Sequence, residues 1–288
     1  MIGAMDLDLV KVREIVERAL AEDIGAGDIT TRLTTPESAT VTGAIIAKEL
    51  AVIAGLPVAE LCFQMVDSGL QFSRLVEDGD HVPAGQRVAL VSGRAAPVLT
   101  AERVALNFLQ RMSGIATRTA AFVKLIGNTT ARIVDTRKTT PGLRVLEKYA
   151  VRMGGGFNHR FGLDDGILIK DNHIVVARGV AAAVKAAKAG TPSNLKVEVE
   201  IRSMAELEEA MGAGADAVLL DNMSIPEMRA AVEFVKHRVE VEASGGVDED
   251  TVAAIAATGV DIISVGALTH SVKSIDFSLE LFGPEKTE

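Results

Sequence analysis

The chain has 288 residues, 48% of them hydrophobic, and a formal net charge of −9. That length allows two domains or one large barrel, and the acidic balance argues against nucleic acid as a main partner. No apolar run reaches the roughly 18 residues of a membrane span, and a lone cysteine, Cys62, forms neither an internal disulfide nor a cysteine metal site, which suits a reducing cytoplasm.

With no Trp, one Tyr and nine Phe, the core has to be built from Ala, Val, Ile and Leu, as in α/β proteins whose parallel strands are buried on both faces. The opening MIGAMDLDLVKVREIV carries acids where a signal peptide needs cations, and its spacing predicts an amphipathic helix near 8–21. The turn-rich EDIGAGDITT follows. Strand-like runs ATVTGAIIAKE, LQFSRLVE and QRVALVSG come next, punctuated by GDHVPAG. VLTAERVALNFLQRMSGIAT has apolar residues at helical spacing and is expected to bridge to a second part of the chain.

From about residue 131 the texture changes to strand alternating with helix. Strands are expected at ARIVD, GILIK, KVEVEI, AVLLD, VEVEA and DIISVG. Ala-rich helices are expected at VVARGVAAAVKAAKAG, MAELEEAMGAGA, IPEMRAAVEFVKH and DEDTVAAIAATG. Repeated βαβ units of this kind predict a parallel sheet closed into a barrel, with a doubly wound open sheet as the alternative. The final SIDFSLELFGPEKTE has no strand–helix partner and is expected to pack back on the first domain.

Chemistry in parallel barrels sits at the carboxyl ends of the strands. The residues following the expected strands are Arg137 and Lys138, then Lys170, Glu200, Asp221, Ser244 with Gly245 and Gly246, and Gly266. The ring divides by sign. Arg137, Lys138, His159, Arg160 and Lys170 make a cationic half, and Glu200 with Asp221 an acidic one. Such an arrangement suits a polyanionic substrate gripped by arginine forks and lysine charges, together with a divalent cation. Two carboxylates without histidine or thiolate companions favour Mg²⁺ over zinc. The Ser-Gly-Gly turn before a helix, and SVGALTHS with His270 at the next strand, leave backbone N–H groups for a phosphate.

Blander readings stand beside these. VDTRKTTPG is equally a solvated loop after a strand. VEVEI fits an edge strand with Glu198 and Glu200 turned outward; turned inward, two acids need cations nearby. His173 fits a cap on a helix beginning near Val175, and GGGFNHRFGLDDG a floppy loop. A Schiff-base aldolase using Lys170 or Lys138, and a non-catalytic anion binder, also remain open.

The motifs EDIGAGDITT, AERVALNFLQRMSGIAT, DTRKTTPGLRVLEKYAV, GGGFNHRFGLDD, ILIKDNH, VEVE, LLDNM, EASGG and VGALTHS occur in one order along nearly the whole chain. Together they resemble the nicotinate-nucleotide pyrophosphorylase (carboxylating), or quinolinate phosphoribosyltransferase, family. EIRSM, after the second acid, is less typical but leaves Glu200 intact. The resemblance implies an N-terminal α/β sandwich domain (1–112, with the tail 272–288 packed back on it) and an incomplete parallel α/β barrel (113–271). It implies conversion of quinolinate and phosphoribosyl pyrophosphate (PRPP) to nicotinate mononucleotide, pyrophosphate and CO₂, in de novo NAD biosynthesis in the cytoplasm. It also implies Mg²⁺, no organic cofactor, and a homodimer or dimer-based hexamer with shared active sites. On this family's pattern Arg137, His159, Arg160 and Lys170 hold the quinolinate carboxylates, joined by Arg103 from the neighbouring subunit. Lys138 is catalytic and lies between that acid and the phosphoribosyl group. Glu200 and Asp221 serve the metal and the ribose, and Ser244, Gly245, Gly246, Gly266 and His270 contact phosphate.

Overall fold

The protein is described as a computed structural model over residues 7–192 and 195–282. Asp8 accepts a hydrogen bond from the Lys11 amide and so caps α1 (Leu9–Ile24), which buries Val12, Ile15, Val16 and Leu20 along one stripe. Asp28 caps α2 (Ile29–Thr34) in the same way, through the Thr31 amide. Then follow β1 (Thr40–Ala47), β2 (Ala51–Val52), α3 (Leu56–Val66), β3 (Gln71–Arg74), β4 (His81–Val82), β5 (Arg87–Arg94) and the 32-residue α4 (Ala95–Ile126). The second half runs β6 (Arg132–Val134), α5 (Arg144–Met153), β7 (Ile167–Ile169), α6 (Asp171–Ala177), α7 (Val180–Gly190), β8 (Val197–Ile201), α8 (Met204–Gly212) and β9 (Ala217–Asp221). It closes with α9 (Ile225–Val235), β10 (Glu240–Ser244), α10 (Val252–Ala256), β11 (Ile262–Ser264), α11 (Ala267–His270) and β12 (Phe277–Phe282).

The described residues divide into two compact units, one within 1–120, 139–155 and 271–288, the other within 121–138 and 156–270. The boundary expected at residue 112 thus falls inside α4, whose last six residues, 121–126, belong to the second unit. The first unit is built on an antiparallel sheet in the order β12-β1-β5-β3. Its outer strand is the chain's tail: Phe277 pairs with Ala47 and Phe282 with Thr42. Residues 283–288 of that tail lie outside the described residues. Asp78 accepts the Gly55 and Leu56 amides at 2.8 and 3.1 Å, satisfying two orphan donors at the start of α3, and takes the Tyr149 hydroxyl at 2.9 Å.

This unit also holds the Thr-Thr-Pro-Gly that follows Lys138. Arg111 donates to Glu147 Oε1 at 2.9 and 2.6 Å and to Thr140 Oγ1 at 2.6 Å, while the Thr140 amide donates to Glu147 Oε2 at 3.1 Å. Glu147 is 1% exposed. A buried carboxylate is tolerated here because both oxygens are paired, and the network pins the turn at both ends. A solvated, unconstrained loop is therefore excluded.

The second unit is a six-stranded parallel sheet, ordered β6-β11-β10-β9-β8-β7. Among the described residues β6 and β7 do not pair with each other; instead Phe157 makes a parallel bridge to Val134, so residues 156–160 enter the gap beside β6. This is an incomplete α/β barrel, and the doubly wound alternative falls away. Val, Ile, Leu and Ala at 0–7% exposure fill strands and helices alike, as a core short of aromatics demands.

Two local expectations change. The Ala-rich run 175–190 is not one helix: α6 ends at Arg178 (φ 62) and Gly179 (φ 141), and α7 starts afresh. β8 is not an edge strand, since β7 pairs on one side and β9 on the other, so Glu198 and Glu200 cannot both stand free in solvent. The helices α2 and α3 of the first unit, where no strand–helix alternation marks them, and the four-residue α11 of the second had no counterpart in the strand and helix readings.

Candidate active site

The carboxyl ends of the barrel strands surround a cavity of about 340 Å³, within the range of small-molecule sites. Its lining contains Thr136, Arg137 and Lys138 after β6; His159 and Arg160 from the 156–160 segment; Leu168 on β7 and Lys170 just after it; Glu200 on β8; and Leu219 and Asp221 on β9 with Asn222 just after. Glu242 and Ser244 on β10, Gly245 and Gly246 in the turn after it, and Ser264 on β11 complete it. The predicted ring thus becomes one wall of cations facing one pair of acids. Gly266 and His270 are not among the lining residues, but a Cβ on Gly266 would come within 3.1 Å of the Lys138 side chain and 3.3 Å of His270, so Gly266 packs closely against both. Arg103 is exposed on α4 in the first unit and does not line the cavity.

The cationic wall is held by backbone. Thr269 Oγ1 donates to the Lys138 carbonyl at 2.7 Å, and the Lys138 amide donates to Thr136 Oγ1 at 3.0 Å. Asp135, fully buried, accepts the His159 amide at 2.9 Å and the Asn158 side-chain amide. Arg160 Nη1 donates to the Gly166 carbonyl at 2.9 Å, and Asp165 accepts the Phe161 and Gly162 amides at 2.6 and 2.8 Å. The glycine-rich 154–166 segment is therefore an ordered loop. Burial and then the charge of Arg137 push the Arg160 pKa down, the mark of cations crowded where an anion belongs.

Below this wall lies a cluster that the sequence reading missed. His159 Nε2 is 3.2 Å from Glu198 Oε2 and 3.4 Å from Glu242 Oε2. Glu242 is 2% exposed and neither of its oxygens has a hydrogen-bond partner within the usual distance. Burial alone lowers the His159 pKa, but the hydrogen bond to Glu198 and the charges of Glu198 and Glu242 outweigh it and raise it to about 10. The Arg160 amide points at Nδ1 from 2.8 Å and works against a proton there. The two carboxylates thus favour a proton on Nε2, while the Arg160 amide disfavours one on Nδ1. The signal for this cluster was present in VEVE and VEVEA, where alternate acids on central strands share a face.

Glu200 and Asp221 stand on adjacent strands, with side chains 11% and 16% exposed. Burial and then the negative charge of Asp221 raise the Glu200 pKa, with Lys170 opposing. An all-oxygen donor set under mutual repulsion fits a hard divalent cation such as Mg²⁺. Beyond β10, Gly245 (φ 92) and Gly246 (φ 60) take left-handed backbone, and a Cβ on Gly245 would overlap the Asn222 amide. The following helix does not start at this turn. α10 begins at Val252, and Asp248 accepts the Thr251 and Asp250 amides before it, so what the turn offers the cavity is its own glycine backbone. His173 sits in the first turn of α6, where its Nδ1 accepts the Lys170 amide at 2.9 Å. That is the capping role, on a helix starting four residues earlier than expected. Lys138 and Lys170 are exposed, lacking the desolvation a Schiff-base lysine needs.

A parallel barrel whose strand ends join a cationic wall to an acidic pair defines an enzyme class that handles small polyanions. Two family models match, the quinolinate phosphoribosyl transferase N-terminal domain over residues 28–113 and its C-terminal domain over residues 115–280. A probable nicotinate-nucleotide pyrophosphorylase (carboxylating) of Bacillus subtilis is 42% identical over 272 residues, 94% of each chain. The Mycobacterium leprae nicotinate-nucleotide pyrophosphorylase (carboxylating) is 44% identical over 282 residues, 96% of this chain and 99% of that one. The structure of the Francisella tularensis nicotinate-nucleotide pyrophosphorylase superposes with a TM-score of 0.92 at 45% identity, covering 96% and 98% of the two chains. The chain belongs to the quinolinate phosphoribosyl transferase family.

Proposed function

We propose that this protein transfers the phosphoribosyl group of PRPP to quinolinate and releases pyrophosphate and CO₂, forming nicotinate mononucleotide for NAD biosynthesis. The observation that carries this reading is the single cavity in which Arg137, Lys138, Arg160 and Lys170 face Glu200 and Asp221. Both substrates carry several negative charges, so their approach needs cations to offset the repulsion. Arg137, Arg160 and Lys170 take the two quinolinate carboxylates; His159 backs them with positive charge, and Lys138 stands between the acid and the phosphoribosyl group. The Ser244-Gly245-Gly246 turn, with Gly266 and His270 beside Lys138, takes the phosphate.

The ring nitrogen of quinolinate attacks ribose C1 while the bond to pyrophosphate breaks, through an oxocarbenium-like state. Carboxylates of Glu200 and Asp221 stabilise that positive charge, and fixed charges of this kind are often the largest catalytic term. Glu200 and Asp221 would hold Mg²⁺, partly through water, which neutralises pyrophosphate as a leaving group. The C2–carboxylate bond of the quinolinium then breaks, its electron pair passes to C2 beside the cationic nitrogen, and a proton from solvent replaces CO₂. No step requires a covalent enzyme intermediate or an organic cofactor.

The working unit is a homodimer or dimer-based hexamer in the cytoplasm, with Arg103 completing the neighbour's site; the exposure of Arg103 and its place outside the cavity lining support this. Release of labelled CO₂ from 2-carboxyl-labelled quinolinate tests the activity. It should require both PRPP and Mg²⁺, and no release with both present overturns the reading.

A further inference from the structure

Arg202 directly follows β8, two residues beyond Glu200, at the rim that carries the acids. Its backbone amide is tied to Glu206 Oε2 at 2.6 Å, and its guanidinium turns back over the site. Nε lies 3.0 Å from Asp221 Oδ2, and Nη2 lies 3.4 Å from Glu200 Oε1 and 3.2 Å from Asp171 Oδ2. One guanidinium therefore touches both carboxylates of the acidic pair. Those carboxylates are largely shielded, at 11% and 16% exposure, whereas Arg202 is 55% exposed and Asp171 49%. Arg202 plays no part in the proposed reaction, yet it stands where the pair's repulsion is greatest.

We propose that Arg202 is a displaceable counter-cation for the acid pair: it neutralises Glu200 and Asp221 in the free enzyme, and a divalent cation must push it aside to bind there. This rests on the assignment of Glu200 and Asp221 as metal ligands. The physical basis is competition for the same charge. A guanidinium fork and a hard divalent ion both seek the carboxylate oxygens, and they repel each other at contact distance. Asp171 makes displacement cheap, because the guanidinium keeps a carboxylate partner after leaving the other two. Its exposure leaves it free to swing, since exposed pairs of this sort are individually weak. The consequence is discrimination between free and substrate-borne metal. A lone hydrated ion gains little by evicting Arg202, while an ion that brings pyrophosphate oxygens has added ligands of its own. Arg202 is thus a positioning and selectivity residue, acting through the metal pair rather than on the reacting atoms.

The test is an electron-paramagnetic-resonance titration of Mn²⁺, as the probe ion, into the full-length protein without substrates. Arg202→Ala should bind Mn²⁺ about three- to tenfold more tightly than wild type, the range expected from removing two exposed pairs. Arg202→Lys, which keeps charge but loses the fork, should fall between them. Adding Asp221→Asn to Arg202→Ala should abolish the gain. Mn²⁺ affinity unchanged or weakened in Arg202→Ala, with matching thermal unfolding, overturns the proposal. So does weaker PRPP binding by Arg202→Ala without tighter Mn²⁺, which would make Arg202 a pyrophosphate ligand. If Asp221→Asn in the wild-type background leaves Mn²⁺ binding unaltered, the metal assignment itself fails. If that variant loses Mn²⁺ while Arg202→Ala gains none, only the role of Arg202 fails.

Discussion

The His159 cluster gives a stability measurement with a definite sign. Its ordinary pKa of 6.5 is raised to about 10 in the folded state, so His159 binds its proton more tightly folded than unfolded. A group of this kind contributes stability that is fully present below its unfolded pKa and is lost as pH rises through its folded one. The window here runs from about pH 6.5 to pH 10. The full difference of 10 − 6.5, or 3.5 pH units, corresponds to roughly 5 kcal/mol at about 1.4 kcal/mol per unit. Opposition from the Arg160 amide at Nδ1 and relaxation of Glu198 and Glu242 reduce the expected value to about 2–4 kcal/mol. The perturbation is His159→Gln, which keeps a donor but cannot be charged. Urea unfolding of both proteins is followed from pH 7 to pH 10, and the wild-type advantage should shrink by that amount. Taking the difference removes Cys62, whose thiol is pushed up to about 12 by burial and which titrates alike in both proteins. A wild-type advantage constant within about 1 kcal/mol across the window would show that the two carboxylates do not hold an imidazolium.

Arg137→Ala should raise the quinolinate KM and lower kcat/KM at least about tenfold, from a lost charge-assisted pair of roughly 1.5–3 kcal/mol; unchanged quinolinate kinetics would remove Arg137 from the site. Arg103→Ala and Glu200→Ala subunits, each inactive alone, should regain partial activity when mixed, and no recovery despite verified exchange would count against a shared site. Glu147→Ala takes from the Arg111 guanidinium, 30% exposed, its buried carboxylate partner but leaves Thr140 Oγ1, and should cost about 1.5–3 kcal/mol in denaturant unfolding. A loss below about 1 kcal/mol would mean the Arg111–Glu147–Thr140 network does not anchor the turn after Lys138.

Much of the barrel was legible because its code is local. Six short apolar runs separated by Ala-rich helical stretches specify parallel strands wherever they occur, and strand ends locate the chemistry by a rule of the architecture. Arg137, Lys138, Lys170, Glu200, Asp221 and Ser244 could be gathered on one rim from their positions alone, and all line the cavity. The split at Arg178 and Gly179 was harder to read, since the left-handed residue of a helix end was here an arginine before the glycine. α2 and α3 of the first unit were missed for want of an alternating frame.

What sequence could not decide was orientation and neighbourhood. VEVEI alternates identically whether its acids face solvent or the barrel interior. Only pairing of β8 between β7 and β9 turned them inward, and only the 156–160 segment entering beside β6 brought His159 against Glu198 and Glu242. Likewise Arg202 reads as an ordinary charge after a strand, and its contact with Asp171 lies 31 positions away in the chain. Residue types, their order and their strand-end positions belong to the sequence, because propensity and periodicity act over a few neighbours. Which buried charges meet depends on strand order and loop path, and those exist only once the chain has folded.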